Sequence, residues 1–253
     1  MNALILAAGY ATRLYPLTLT KAKPLLPVGG KPIIEWLVNH LVELKDLETI
    51  FIVTNDKFAR DFQTWADEYQ ARQPKARFKI INDGSTNDNN KLGAIGDINL
   101  VLTRENLMET DLLVLAGDNL FTERLDRFVE FARNTEATVA LYDVGDLEAI
   151  KKYASVTTDS AGVITAFEEK PQKPTDTRAA IALYYYSRKI LPLFVTYLAS
   201  GNNPDQPGRF LQWLYVRKPV NTFEVKGQWL DIGSKETLEA ADKMFSAPET
   251  ARK

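Results

Sequence analysis

The chain has 253 residues, 45% of them hydrophobic and 25% charged, with a net charge of −2; this is enough for a sizeable α/β core, and it gives no electrostatic case for nucleic acid or a membrane surface. It contains no cysteine and one histidine, His40, which excludes disulfide frameworks, Cys-ligated zinc and multi-His metal sites. No apolar run is long enough to span a bilayer, and the first residues, MNALILAAGYATR, read as a buried strand rather than a signal peptide.

In the first half, short apolar runs alternate with helical patterns. Ala3–Ala8, Thr49–Thr54, Phe78–Ile81, Leu112–Ala116 and Thr138–Tyr142 predict buried strands. Ile33–Leu44, which contains His40, Lys57–Gln70, Gly93–Leu102 and Leu125–Asn134 predict amphipathic helices. The alternation implies βαβ units and a Rossmann-like, mostly parallel sheet covered on both faces. Ligands in such sheets sit at the carboxyl ends of strands, here the loops after Ala8 and Ala116. The second half differs: Ala154–Thr157, Val163–Glu169 and Ala179–Ser187 are closely spaced strands around a turn at Asp159–Gly162, as expected of an added antiparallel portion. A helix over Ile190–Leu198, a polar loop over Gly201–Gly208, a helix over Phe210–Val216, a strand over Val220–Val225 and a helix over Lys235–Phe245 follow. The expected organisation is one catalytic domain, residues 1–246, with a disordered tail over 247–253.

With one histidine, any chemistry must run on Asp, Lys and Arg. Ala7-Ala8-Gly9 closes a buried strand in a small-residue turn, whose backbone N–H groups can cradle a phosphate. Arg13 and Lys23 add positive charge beyond it, suited to a triphosphate. Neither a Walker A loop nor a dinucleotide fingerprint is present, since Gly9 stands alone. Asp118, in Leu115-Ala116-Gly117-Asp118-Asn119, lies at a strand's carboxyl end, where it suits Mg²⁺ or a helix cap for the segment near Glu123. Asp231, between Leu230 and Ile232, is an acid among apolar residues and needs a cation or hydrogen bonds. Glu168-Glu169-Lys170-Pro171 ends a predicted strand and by itself reads as a charged turn.

Together these segments resemble the signature of the sugar-nucleotide pyrophosphorylases, the sugar-1-phosphate nucleotidyltransferases. That family shows G-x-G-T-R-L, P-K-x-L-L-P-V and K-P; here Gly9-Tyr10-Ala11-Thr12-Arg13-Leu14 departs by Ala11, and Lys23-Pro24-Leu25-Leu26-Pro27-Val28 and Lys31-Pro32 follow. The resemblance covers nearly the whole chain and implies a GT-A-like nucleotidyltransferase fold. It implies nucleotide binding by Ala7, Ala8, Gly9 and Thr12, with base recognition near Asn82 and Gly93. It further implies Mg²⁺ on Asp118 and Asp231, and a sugar phosphate held by Lys170 with its hydroxyls on Glu169. Arg13, Lys23 and Lys170 would be the catalytic cations. Ala154 and Ala182 stand where thymidylyl-transferring relatives often carry glycine beside the sugar.

The implied reaction is in-line attack of a sugar-phosphate oxygen on the α-phosphorus of a nucleoside triphosphate, with pyrophosphate leaving. The nucleophile is ionised at neutral pH, so no general base is required. The expected pair is dTTP or UTP with a hexose 1-phosphate, used by a cytoplasmic monomer or homodimer. The chain reads as a catalytic core without the acyltransferase or regulatory extensions of many relatives. The alternatives are another small phosphate acceptor and an inactive nucleotide- or sugar-binding homologue. An NDP-sugar glycosyltransferase is disfavoured because no Asp-x-Asp occurs.

Overall fold

The computed structural model describes residues 1–247; of the tail expected over 247–253, all but Ala247 lies outside them. In chain order the chain forms β1 (Asn2–Leu6), β2 (Pro27–Val28), β3 (Lys31–Pro32), α1 (Ile33–Leu41), β4 (Ile50–Thr54), α2 (Ala59–Arg72) and β5 (Phe78–Asn82). Next come α3 (Ala94–Arg104), β6 (Leu112–Ala116), β7 (Asn119–Phe121), α4 (Asp126–Ala132), β8 (Ala137–Asp143) and α5 (Leu147–Ile150). The remainder is β9 (Ala154–Thr158), β10 (Ile164–Glu169), β11 (Arg178–Tyr186), α6 (Pro192–Ala199), α7 (Pro207–Leu214), β12 (Asn221–Glu224), β13 (Trp229–Asp231) and α8 (Lys235–Ser246).

Two compact units result. The first comprises Met1–Leu92, Leu115–Leu125 and the chain from Gly227; the second comprises Gly93–Val114 and Asp126–Lys226. In the first, β1 pairs parallel with β4 and β4 with β5, while β6, whose last residues belong to this unit, neighbours β1. All five residues of β4 are buried, as a strand covered on both faces requires. On α2, Phe62, Trp65, Ala66 and Tyr69 are buried at helical spacing and make its inward stripe. A second apolar cluster joins Leu26, Val28, Ile33, Leu120, Ile232 and Phe245. There α8 begins at a capping box in which Ser234 and Thr237 satisfy each other's backbone N–H groups.

The second unit is largely antiparallel, as expected. β11 pairs with β8 and β9, and β9 with β10, all antiparallel, while β12 joins β8 in parallel. Its core is aromatic: Phe194 and Phe210 stack with centroids 3.8 Å apart, and Tyr186 meets both edge-on.

Three expectations need correction, and one ribbon was not foreseen. α1 stops at Leu41, three residues early. α7 starts at Pro207 rather than Phe210, because proline's fixed φ and missing N–H suit a first helical position. The helix after Glu123, α4, begins at Asp126, and β7 lies between it and Asp118, so Asp118 is no helix cap. The β7–β13 ribbon pairs Asn119 with Asp231 and Phe121 with Trp229, and its three-residue strands are too short to show a periodicity.

Candidate functional site

The turn after β1 is fixed by its neighbours. The Ala7 N–H bonds Val53 O at 2.9 Å, and the Asn55 amide donates to Ala8 O at 2.9 Å. Ala7 and Ala8 are buried, whereas Gly9 is exposed, with open space where a side chain would stand. Ala11 adopts the left-handed conformation (φ 48°, ψ 44°), its carbonyl accepting from the Thr18 hydroxyl at 2.9 Å. A glycine occupies that conformation without the roughly 1–2 kcal/mol that an L side chain costs there. Thr12-Arg13-Leu14 then forms a single 3-10 turn with Leu14 buried and Thr12 and Arg13 exposed.

Lys23 is held by two partners within the first unit. Its ammonium donates to Asp118 Oδ2 at 2.5 Å and to the Ile232 carbonyl at 2.8 Å. Asp118 follows β6; Gly117 is closely packed, since a Cβ there would meet Leu6 O at 3.0 Å and Pro24 at 3.1 Å. The Ile232 N–H donates to Asp118 O at 3.1 Å, and the Asn119 amide reaches Asp118 Oδ1 at 3.1 Å. The Trp229 indole N–H donates to Asn119 Oδ1 at 2.5 Å, tying β13, which carries Asp231, to β7, which Asp118 precedes.

Asp231 ends β13. Burial and, next, the Asp118 charge push its carboxyl up to about 6, while Lys23 and Arg13 pull the other way. Arg13, Lys23, Asp118 and Asp231 are thus brought into one electrostatic cluster in the first unit. Two acids with one raised carboxyl make a site that gains from added positive charge. Among the described residues no group of three or more acidic, His or Cys side chains could cage a metal. The pair fits a hard divalent cation of the Mg²⁺ kind, which takes one or two carboxylates and keeps its other positions for water and phosphate.

The remaining expected residues are placed differently. Asn82 ends β5 with its side chain engaged: its amide donates to Asp56 Oδ1 at 2.7 Å and its oxygen accepts from the Gly84 N–H at 2.8 Å. Gly93, in the second unit, has φ 77°, and a Cβ there would sit 2.6 Å from Pro204 O. It opens α3, whose first N–H groups donate to the Pro204 and Asp205 carbonyls at 2.8 and 3.2 Å, so its local role is to seat that helix. Glu169 closes β10 in the second unit, and Lys170 follows in the left-handed region, φ 52°, its N–H bonded to Tyr153 O at 2.8 Å. His40 faces the Phe121 carbonyl at 3.2 Å, an ordinary helix residue as its position implied.

Sequence reasoning missed three contributors. Asn119 and the Ile232 carbonyl complete the surroundings of Asp118 and Lys23; adjacency to the two aspartates was the available signal. Tyr10 is buried, and burial raises its hydroxyl; its hydrogen bond to Ser85 opposes this, while Asp83, Asp56 and Asp88 raise it further. Nothing in the sequence marks it as other than the variable position of the first motif.

A parallel β1–β4–β5 sheet that carries charged groups just past its carboxyl ends defines a phosphate-handling α/β protein. The family model described as Nucleotidyl transferase matches residues 2–246, and the chain belongs to that family. The chain is 27% identical over 253 residues to the UTP–glucose-1-phosphate uridylyltransferase AglF of Haloferax volcanii, covering 99% of this chain and 98% of that one. It is 26% identical over 243 residues to the bifunctional protein GlmU of Methanocaldococcus jannaschii, covering 96% of this chain and 54% of the relative. The chain therefore spans about half the length of the GlmU relatives it matches. Among solved structures, a Bacillus anthracis protein assigned as a glucose-1-phosphate thymidylyltransferase, in complex with a sucrose, superposes with TM-score 0.84 at 24% identity, covering 98% and 96% of the two chains. A UDP-glucose pyrophosphorylase complexed with UDP-glucose gives 0.79 at 22%, covering 96% and 97%. At these identities the structures establish the fold.

Proposed function

We propose that this chain transfers a nucleotidyl group from a nucleoside triphosphate to a sugar 1-phosphate and releases pyrophosphate. The observation that carries the reading is the cluster of Arg13, Lys23, Asp118 and Asp231 on a nucleotidyltransferase fold. Each matches the resembled signature in residue type and order, and Asp231 feels the charges of the other three.

The attacking group is a phosphate oxygen, already ionised, so the protein needs no proton acceptor and must mainly overcome repulsion between two polyanions. Ala7, Ala8, Gly9 and Thr12 offer the triphosphate a small-residue turn, and the exposed Arg13 offers mobile charge for the departing pyrophosphate. Lys23 keeps its ammonium against Asp118 and the Ile232 carbonyl, ready to share charge with the phosphates. Lys170 orients the attacking phosphate, and Glu169 accepts from the sugar hydroxyls. Asn82 and Gly93 are the proposed base-side residues. Asp118 and Asp231 would hold Mg²⁺, which when bound neutralises phosphate charge in the transition state.

The preferred substrates are dTTP or UTP with a hexose 1-phosphate, on the resemblance and on similarity to the uridylyltransferase. Residues 1–246 act as one catalytic domain in this reading, supported by the family match over 2–246. We further propose a cytoplasmic monomer or homodimer; among the described residues no helix is long and apolar enough to cross a membrane.

The test is pyrophosphate release with Mg²⁺ across dTTP, UTP, CTP, GTP and ATP against several sugar 1-phosphates. Release that needs both a particular nucleotide and a particular sugar phosphate is the expected outcome. Silence from every pair, with folded protein, would overturn the reading in favour of another phosphate acceptor or a non-catalytic role. Arg13→Ala should fold normally and lose turnover by about 10²–10³; retained activity would remove Arg13 from the mechanism.

A further inference from the structure

Glu169 ends β10 opposite Ala154 of β9, and its side chain runs onto the first turn of α7. A Cβ built on Gly208 would lie 2.1 Å from Glu169 Oε2, 3.2 Å from its Cδ and 3.3 Å from Phe167 Cζ. The carboxylate thus occupies the volume that any other residue at position 208 would fill. Burial raises the Glu169 carboxyl, and only the charges of Lys170 and Arg209 oppose this; no hydrogen bond does. A half-buried carboxylate of this kind has acceptor capacity to spare.

Nothing in the backbone requires a glycine here. Gly208 is not among the residues of positive φ, and it is the second residue of a helix, where alanine is the better former. What the glycine supplies is space. The atom that a methyl would meet first is the far end of a flexible side chain, so a methyl there moves the carboxylate rather than the fold.

We propose that Gly208 is a positioning residue for the sugar 1-phosphate: the absent side chain is the seat that aims the Glu169 carboxylate at the sugar hydroxyls. This rests on the proposed role of Glu169 and adds a residue that the family signature does not contain. Gly208 touches no substrate; it acts through Glu169. Arg209, steadied by its Nε bond to Gln206 at 3.1 Å, is, after Lys170, the second charge that opposes the effect of burial on the seated carboxylate.

The experiment compares Gly208→Ala, Glu169→Gln and the double variant in the full chain. It reads KM and kcat for each substrate, together with the thermal midpoint. Gly208→Ala should raise KM for the sugar phosphate about tenfold to a hundredfold, the loss expected when a hydrogen bond to a charged group is misplaced. KM for the nucleotide should stay within about twofold, and the midpoint should not fall. The double variant should be no worse than Glu169→Gln alone, since the charged acceptor that the methyl would displace is already gone. An unchanged sugar KM in Gly208→Ala, beside a raised one in Glu169→Gln, would overturn the inference and leave the proposed function standing. An unchanged sugar KM in Glu169→Gln would remove the role of Glu169 and the inference with it. A lowered midpoint, or losses that multiply in the double variant, would mean that the methyl strikes the fold, and this too would overturn it.

Discussion

Replacing Lys23 by Met removes one ammonium from the acid cluster and keeps the aliphatic stem. The lost contacts are the 2.5 Å bond to Asp118 Oδ2 and the 2.8 Å bond to the Ile232 carbonyl. The Lys23 and Asp118 side chains are 17% and 24% exposed, between the fully buried and the surface cases. Breaking a buried pair costs about 3–5 kcal/mol, and an exposed pair contributes about 0–1. An intermediate cost of about 2 kcal/mol follows, which for a chain of this size lowers the thermal midpoint by about 4–8 °C in chelator. Without the ammonium, Asp118 and Asp231 repel with less compensation, so adding Mg²⁺ should raise the variant's midpoint more than that of the parent. Differential scanning fluorimetry at matched ionic strength, with EDTA or with Mg²⁺, reads both quantities. A variant within about 1 °C of the parent in EDTA would refute the coupling. A cation-induced rise in neither protein would remove Asp118 and Asp231 as cation holders.

Arg72 donates to both oxygens of the buried Glu35 at 3.1 Å. Arg72→Met should cost about 1–2 kcal/mol in urea unfolding by leaving that carboxylate unpaired. The added change Glu35→Leu should return much of it, whereas additive losses would contradict the pairing. Gly29 and Gly30 both have positive φ, yet a Cβ at Gly29 would lie 2.5 Å from Phe245 O, while Gly30 faces open space. Gly29→Ala should therefore destabilise by about 2 kcal/mol more than Gly30→Ala, and equal unfolding midpoints would refute this. Glu169 has a raised carboxyl, so ionising it opposes folding: the cost is absent below the ordinary carboxylate range and complete above the folded value. Glu169→Gln should gain stability over the parent at pH 8 but not at pH 4, and the same difference at both would contradict the burial argument.

In the first unit β1, β4, β5, α1 and α2 were legible because each carries one dominant period. β4 is apolar throughout, and α2 repeats its aromatics every three or four residues. The antiparallel second unit was legible from the spacing of its turns. The ribbon of β7 and β13 was not, since its register is set by pairing across the chain and by the Trp229–Asn119 bond. Asp118 and Asp231 stood out singly, one after a glycine and one between apolar neighbours. That Lys23 bonds Asp118 was beyond pattern reading, because an ammonium on a long stem has many reachable partners. Gly208 was hidden for another reason. In a polar loop with asparagine and proline, a glycine announces a turn, and only coordinates show that the space above it belongs to a glutamate.

The short ribbon also has a consequence in time. Trp229 meets Asn119 across 110 positions of sequence. At ordinary rates of synthesis, on the order of ten seconds separate the emergence of β7 from that of its partner strand. During that interval the edge of β7 is unpaired and Asp118 has no second acid. On the proposed mechanism, a nascent chain that has not yet reached β13 thus carries the phosphate-cradling turn but half of the carboxylate pair, and turnover waits on the emergence of that strand.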